Sequence, residues 1–207
     1  MTSNLQPLSE ACERNKGPIL RILTEAFAHT RSVLEIGSGT GQHAVYFAAN
    51  LAHLSWQPSD TRDYLPGLRE RIRSQGGPNV QEPIELDVRT QPWSAGHVDG
   101  LFSANTLHIM SWSAVRDLFH GLAGVLEDSA VVCIYGPFRY GDRYTSASNA
   151  AFDEFLRSRD PDSGIRDFEA VDALARSAGL ELLADHAMPA NNQTLVWGKR
   201  ARGRHAG

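Results

Sequence analysis

The chain has little of what marks several protein classes. Only two cysteines occur in 207 residues, and Cys133 lies inside the apolar run AVVCIYG, far from Cys12. That is the usage of a reducing compartment and excludes a disulfide framework. No apolar run reaches the roughly 18 residues of a membrane span, and the N-terminus MTSNLQPLSEACERNKG has no apolar stretch behind basic residues. The expectation is a soluble, cytoplasmic protein with no membrane partner. Positive charge is also scarce: 20 Lys and Arg stand against 24 Asp and Glu, a formal charge of −4, and the one basic cluster is KRARGRH at 199–205. A nucleic-acid-binding face is therefore not expected. The eight histidines show no H-x-x-x-H spacing and the cysteines no C-x-x-C spacing, so no metal site is expected. A phosphate loop ending in Gly-Lys-Ser/Thr, a G-x-S-x-G elbow and a Tyr-x-x-x-Lys pair are all missing.

What is present is an alternation of short apolar strands and amphipathic helices. Pro18 opens a helix carrying Ile19, Ile22, Leu23 and Phe27 at helical spacing. Five strands are read at SVLEI, LSWQPSD, PIELDV, VDGLFSAN and AVVCIYGPF, with helices at about 42–51, in RDYLPGLRERIRSQGG and in AVRDLFHGLAGVL. Two further helices and two closing strands, LELLADHAM and TLVWGKR, complete the chain. Strands alternating with helices predict an α/β fold, a mostly parallel seven-stranded sheet with helices on both faces. The length predicts one domain over 1–207, with 1–30 as an N-terminal cap and 137–168 as a lid and helix on the substrate side.

The stretch VLEIGSGTG sets Gly37, Gly39 and Gly41 between a strand and a helix. A dinucleotide fingerprint needs its third glycine three residues after the second, and that position is Gln42. Three acids sit at strand ends: Glu35 before the turn, Asp60 19 residues beyond Gly41, and Asp87 in ELDV. An acid at about 20 residues past such a turn reaches ribose hydroxyls at the carboxyl edge of the sheet. Three such acids repel a pyrophosphate and accommodate a ligand with cationic groups and free hydroxyls.

VLEIGSGTG, Asp60, ELDV and GLFSANTLHI together resemble the successive motifs of class I S-adenosylmethionine (SAM) dependent methyltransferases. The resemblance implies a Rossmann-like fold, SAM as cofactor and S-adenosylhomocysteine (SAH) as product. It also implies that Gly37, Gly39 and Gly41 approach the methionine part, Asp60 holds the ribose, and Asp87 beside Val88 meets the adenine. WQPSD places Gln57, Pro58 and Ser59 before the acid, which leaves Gln57 or Ser59 as substitutes if the register slips. Over nearly the whole chain, ERNKGPIL, WQPSD, NTLHIMSW, YGPF, YTSASNAAFDEFLRSRDPDSGIRD and PANN resemble the methyltransferase-like protein 26 family, which has no agreed substrate.

The acceptor is expected at the loops after the fourth and fifth strands. His108 is the candidate general base, since an ordinary imidazole titrates near neutrality; the alternative is a packing residue on the first turn of a helix. Asn105 is expected at the cofactor. GPFRYGDRY, with Tyr140 and Tyr144, reads either as a mobile cover or as a loop protecting core edges. Arg166 and Asp167 with Asn149 read as an anionic or polar acceptor site, or as a capping and ion-pair cluster. Asn191 is a further substrate candidate, and Lys16 is placed to meet the cofactor's carboxylate. The reading is a SAM-dependent methyltransferase of a small molecule, monomeric or homodimeric. Its alternatives are a SAM-binding protein without activity and, after that, an RNA methyltransferase.

Overall fold

A computed structural model describes residues 8–200, so most of the basic cluster at 199–205, His205 included, lies outside the described residues. The chain runs α1 (Glu10–Ala26), β1 (Ser32–Ile36), α2 (Gln42–Asn50), β2 (Ser55–Asp60), α3 (Leu65–Gln75), β3 (Ile84–Glu85), β4 (Val98–Ala104), α4 (Trp112–Val125) and β5 (Leu126–Gly136). The last third holds β6 (Phe138–Tyr140), β7 (Arg143–Tyr144), α5 (Ala147–Arg159), β8 (Arg166–Asp167), α6 (Phe168–Ser177), β9 (Leu180–Met188) and β10 (Asn192–Lys199), with a short helical turn at Pro189–Asn191.

Seven strands form one sheet in the order β3-β2-β1-β4-β5-β10-β9. The first five strands pair in parallel, and β10 runs antiparallel to both β5 and β9. Successive side chains of a strand face opposite sides of the sheet, and here both sides are apolar. Leu34, Leu101 and Val132 pack under α4 and α6 with Phe119 and Trp197. Val33, Phe102 and Cys133 pack under α1, α2 and α3 with Phe47 and Trp56. Such two-sided burial is the reason the strands read as continuous apolar runs.

Two strand assignments shorten. Only Ile84 and Glu85 of PIELDV pair, against Ser59 and Asp60. The fifth strand breaks at Pro137, and Phe138 starts a separate three-stranded sheet ordered β7-β6-β8. In β2, Pro58 sits in register with Glu35 of β1. Its missing N–H goes unmissed because β3 pairs only beyond it. Among the described residues no helix is long and apolar enough to cross a membrane, and no cluster of three metal-ligating side chains occurs. Cys12 and Cys133 are free thiols.

Glu35 does not face the open edge of the sheet. It lies buried on the α1–α3 side, where the Trp56 indole N–H donates to its carboxylate at 3.0 Å. Burial pushes its pKa up from 4.5 to about 7, with the Asp60 charge adding to the rise. The folded chain thus keeps a proton that the unfolded chain releases near pH 4.5. The stability this contributes is complete below that pH and is lost as pH rises through about 7. Glu35→Gln is expected to be about 1–3 kcal/mol more stable than the parent at about pH 8 and nearly equal to it at about pH 4. Thermal melts at both pH values check this; an equal difference at both would refute it.

Candidate functional site

The carboxyl ends of β1, β2, β4 and β5 open into a single large cleft of about 1190 Å³, closed on one side by the first turns of α1 and on the other by α5. That exceeds the roughly 300–1,000 Å³ of a single-ligand pocket, so it has room for two molecules side by side.

One half is built from the glycine turn. Gly37, Gly39 and Gly41 all have positive φ, at 75°, 52° and 77°. A Cβ on Gly37 would lie 2.8 Å from Thr106 Oγ1, so only glycine lets the turn pass under the β4 loop. A Cβ on Gly39 would meet nothing, because its backbone faces the open cleft. The turn is stitched to β2: the N–H groups of Gly37 and Ser38 donate to the Ser59 carbonyl at 3.1 and 3.0 Å. The Gly39 N–H donates to Asp60 Oδ2 at 2.7 Å, and Asp60 Oδ1 accepts the Thr61 N–H at 2.7 Å. Burial raises the Asp60 pKa while these bonds restrain the rise. Gly41 starts α2 and does not line the cleft.

Asp60, Thr61, Tyr64, Leu86, Asp87 and Val88 continue the wall. Of the three side chains that competed for the strand end, only Asp60 lines it. Gln57 donates to the Glu82 carbonyl at 2.8 Å, and the Ser59 hydroxyl donates to the Glu35 carbonyl at 2.6 Å. Asp87 is held by Arg89 at 2.6 Å, which keeps its carboxyl below the ordinary range.

Gln42, the residue that argued against a dinucleotide, fastens α1 to this turn. Its Oε1 accepts the Ser9 N–H at 2.5 Å and its Nε2 donates to Glu13 at 2.9 Å. Lys16 therefore lies on the wrong side of α1 for the role expected of it: it pairs with Glu13 at 2.5 Å and sits 5.0 Å over the Tyr46 ring. Ala11, Cys12, Arg14 and Asn15 are the α1 residues that face the cleft. Asn15 Oδ1 meets His43 Nε2 at 2.7 Å. Beside them the Tyr135 phenol is bonded to Asn15 and Asn192, and burial raises its pKa.

The other half surrounds the β4 loop. Asn105 takes φ 56°, and its N–H donates to the Tyr135 carbonyl at 2.9 Å. His108 is buried against the cleft, with its ring edge-on to Phe152 at 5.5 Å. Desolvation, reinforced by the Arg166 charge, lowers its pKa from 6.5 to about 4, so the imidazole is neutral at physiological pH. Arg166 is not available to an acceptor. Its Nε donates to the Leu107 carbonyl at 2.9 Å and its Nη2 to the Asp162 carbonyl at 2.9 Å and to that of Met110. It braces the loop that carries His108.

The residues expected to form a cover are likewise pinned elsewhere. The Tyr140 hydroxyl donates to Asp185 at 2.7 Å while its ring stacks on Phe168. The Tyr144 hydroxyl donates to Asp153 at 2.7 Å. Neither lines the cleft; both belong to the small sheet, as Asp167 does. Asn149 lines the cleft, and its Nδ2 donates to the Asn191 carbonyl at 2.9 Å, joining α5 to the turn before β10. Of that turn Pro189, Ala190 and Asn192 face the cleft and Asn191 does not. Arg14, Tyr135 and Phe152 were not singled out from the sequence, whereas Asn15, in the polar run RNK, and Asn192, at the strand connection PANN, were read as polar residues at a helix start and a strand connection.

A family described as a protein of unknown function (DUF938) matches residues 6–199. Among solved structures, an O-methyltransferase family protein from Burkholderia thailandensis is similar at 21% identity and TM-score 0.79, covering 94% of this chain and 58% of that one. The apo S-adenosylmethionine-dependent methyltransferase SibL is similar at 23% identity and TM-score 0.77, over 93% of this chain and 56% of its own. PigF with SAH is similar at 17% identity and TM-score 0.74, covering 90% and 56%. The chain thus spans a little over half the length of these structures, and it shares their Rossmann-like fold.

Proposed function

The chain belongs to the DUF938 family, and we propose that it is a SAM-dependent methyltransferase acting on a small molecule. The observation that carries this reading is the Asp60 carboxylate, which holds the Gly39 N–H of the open turn and at the same time lines the cleft. The donor set fits a nucleoside without phosphates: strand-end carboxylates at Asp60 and Asp87, apolar Leu86 and Val88 on either side of Asp87 in the chain, and exposed backbone at Gly37 and Gly39. The printed descriptions of SibL as SAM-dependent and of PigF with SAH support the same cofactor. The resemblance to the methyltransferase-like protein 26 family forms part of the proposal, as do a cytoplasmic location, a monomer or homodimer, and one catalytic domain over 1–207.

When bound, SAM supplies a methyl group activated by a sulfonium. Asp60 accepts from ribose hydroxyls, Asp87 and Val88 border the adenine, and Asn105 orders the loop between the two halves. Arg14 takes the carboxylate-binding role assigned to Lys16 by sequence. Asn149 and His108 face the acceptor, and the neutral imidazole receives its proton. Alignment and exclusion of water make up most of the remaining catalysis.

Calorimetry with SAM, SAH and NAD tests the reading: SAM and SAH are expected to bind and NAD is not, whereas preference for NAD would overturn it. Release of SAH in the presence of metabolite extract separates an enzyme from a protein that binds SAM without transfer.

A further inference from the structure

Three large apolar side chains stand exposed around His108. Ile109 is 56% exposed, Phe152 36% and Phe155 52%. Ile109 and Phe152 line the cleft, and Phe155 extends the surface outward by stacking on Phe152 at 6.5 Å with an interplanar angle of 19°. Water-facing aromatic surface at the mouth of a cleft is costly to maintain and marks a contact site. Its position fixes which contact, because the Phe152 edge meets the His108 ring and Met110 and Pro137 continue the lining inward.

The charges around it select further. The charged side chains of this half of the lining are Asp160 and Asp162, both acidic. Arg166 is spent on three backbone carbonyls, Arg157 on Asp153 at 2.8 Å, and Arg159 lies over the Phe155 ring. Across the cleft Arg14 is the cation assigned to the cofactor's carboxylate, and Arg89 is paired with Asp87 at 2.6 Å. An anionic acceptor would meet the Asp160 and Asp162 carboxylates in this half of the lining, which holds no Lys or Arg. An uncharged ring meets aromatic faces and a neutral imidazole.

Resting on the methyltransferase reading, we propose that the acceptor subsite takes a flat, uncharged aromatic alcohol, its ring lodged between Phe152 and Ile109 and its hydroxyl directed at His108. In the transfer the hydroxyl oxygen bonds to the methyl carbon as the carbon–sulfur bond breaks. The electron pair stays on sulfur, and the hydroxyl proton passes to the His108 imidazole.

The test uses the full chain saturated with SAH, to which a naphthol, its carboxylate-bearing counterpart hydroxynaphthoate, and the non-planar cyclohexanol are added and followed by calorimetry. Naphthol is expected to bind at least about 10-fold more tightly than either competitor. Phe152→Ala is expected to weaken naphthol by about 10-fold while SAH affinity holds, and Phe152→Tyr to restore it. Equal or better binding of hydroxynaphthoate or cyclohexanol, no naphthol binding, or an unaltered affinity in Phe152→Ala each overturns the proposal. Failure of SAH itself to bind is a different result, and it removes the methyltransferase reading instead.

Discussion

Replacing His108 by alanine is expected to lower turnover by roughly 100-fold while leaving SAM affinity intact. The ring lines the part of the cleft proposed for the acceptor, and the residues proposed to hold the cofactor are others. The pH behaviour follows from its burial. An ordinary histidine would give a rate step near neutrality, but desolvation and the Arg166 charge move this one to about 4. Turnover of the parent should therefore not lose its base until pH falls toward about 4, and the alanine variant should lack that fall. Stability gives an independent reading. His108 and His43 are both lowered from 6.5 to about 4, so between those values the unfolded chain takes up protons that the folded chain refuses. Stability falls as pH drops through this window. His108→Ala removes one of the two contributions and should flatten the acid side of the stability curve. Normal turnover per folded molecule would show that His108 only packs and braces its loop.

Asp60→Ala is expected to weaken SAM binding by about 1–3 kcal/mol, a 5- to 150-fold loss by calorimetry. Two losses combine: ribose hydroxyls are left without a charged acceptor, and the Gly39 N–H loses the partner that fixes the turn. Because burial raises the Asp60 pKa, the parent's affinity should decline on acidification at a higher pH than an ordinary aspartate would give, and the variant's should not. Unchanged affinity in a folded Asp60→Ala variant would move the contact to Thr61 or Tyr64, the next polar groups of the cleft.

The architecture was legible in the sequence because its determinants are local. A strand buried on both faces must be a short apolar run, a positive-φ turn packed as closely as Gly37 is against Thr106 must be glycine, and an acid just after a parallel strand must lie at the carboxyl edge of the sheet. Gly37, Gly39, Asp60, Asp87, Val88, Asn105, His108 and Asn149 consequently line the cleft as their positions implied. The direction of a side chain on a helix or loop depends instead on partners distant in the chain. Lys16 turned away because Glu13 and Tyr46 hold it, which left Arg14 and Asn15 facing inward. Arg166 was claimed by carbonyls from 107 and 110, and Tyr140 and Tyr144 by Asp185 and Asp153. Glu35 was drawn to the Trp56 indole beneath the sheet. A buried polar group must find its partner wherever packing places one, so tertiary structure alone decided which charged and aromatic residues remained for a ligand.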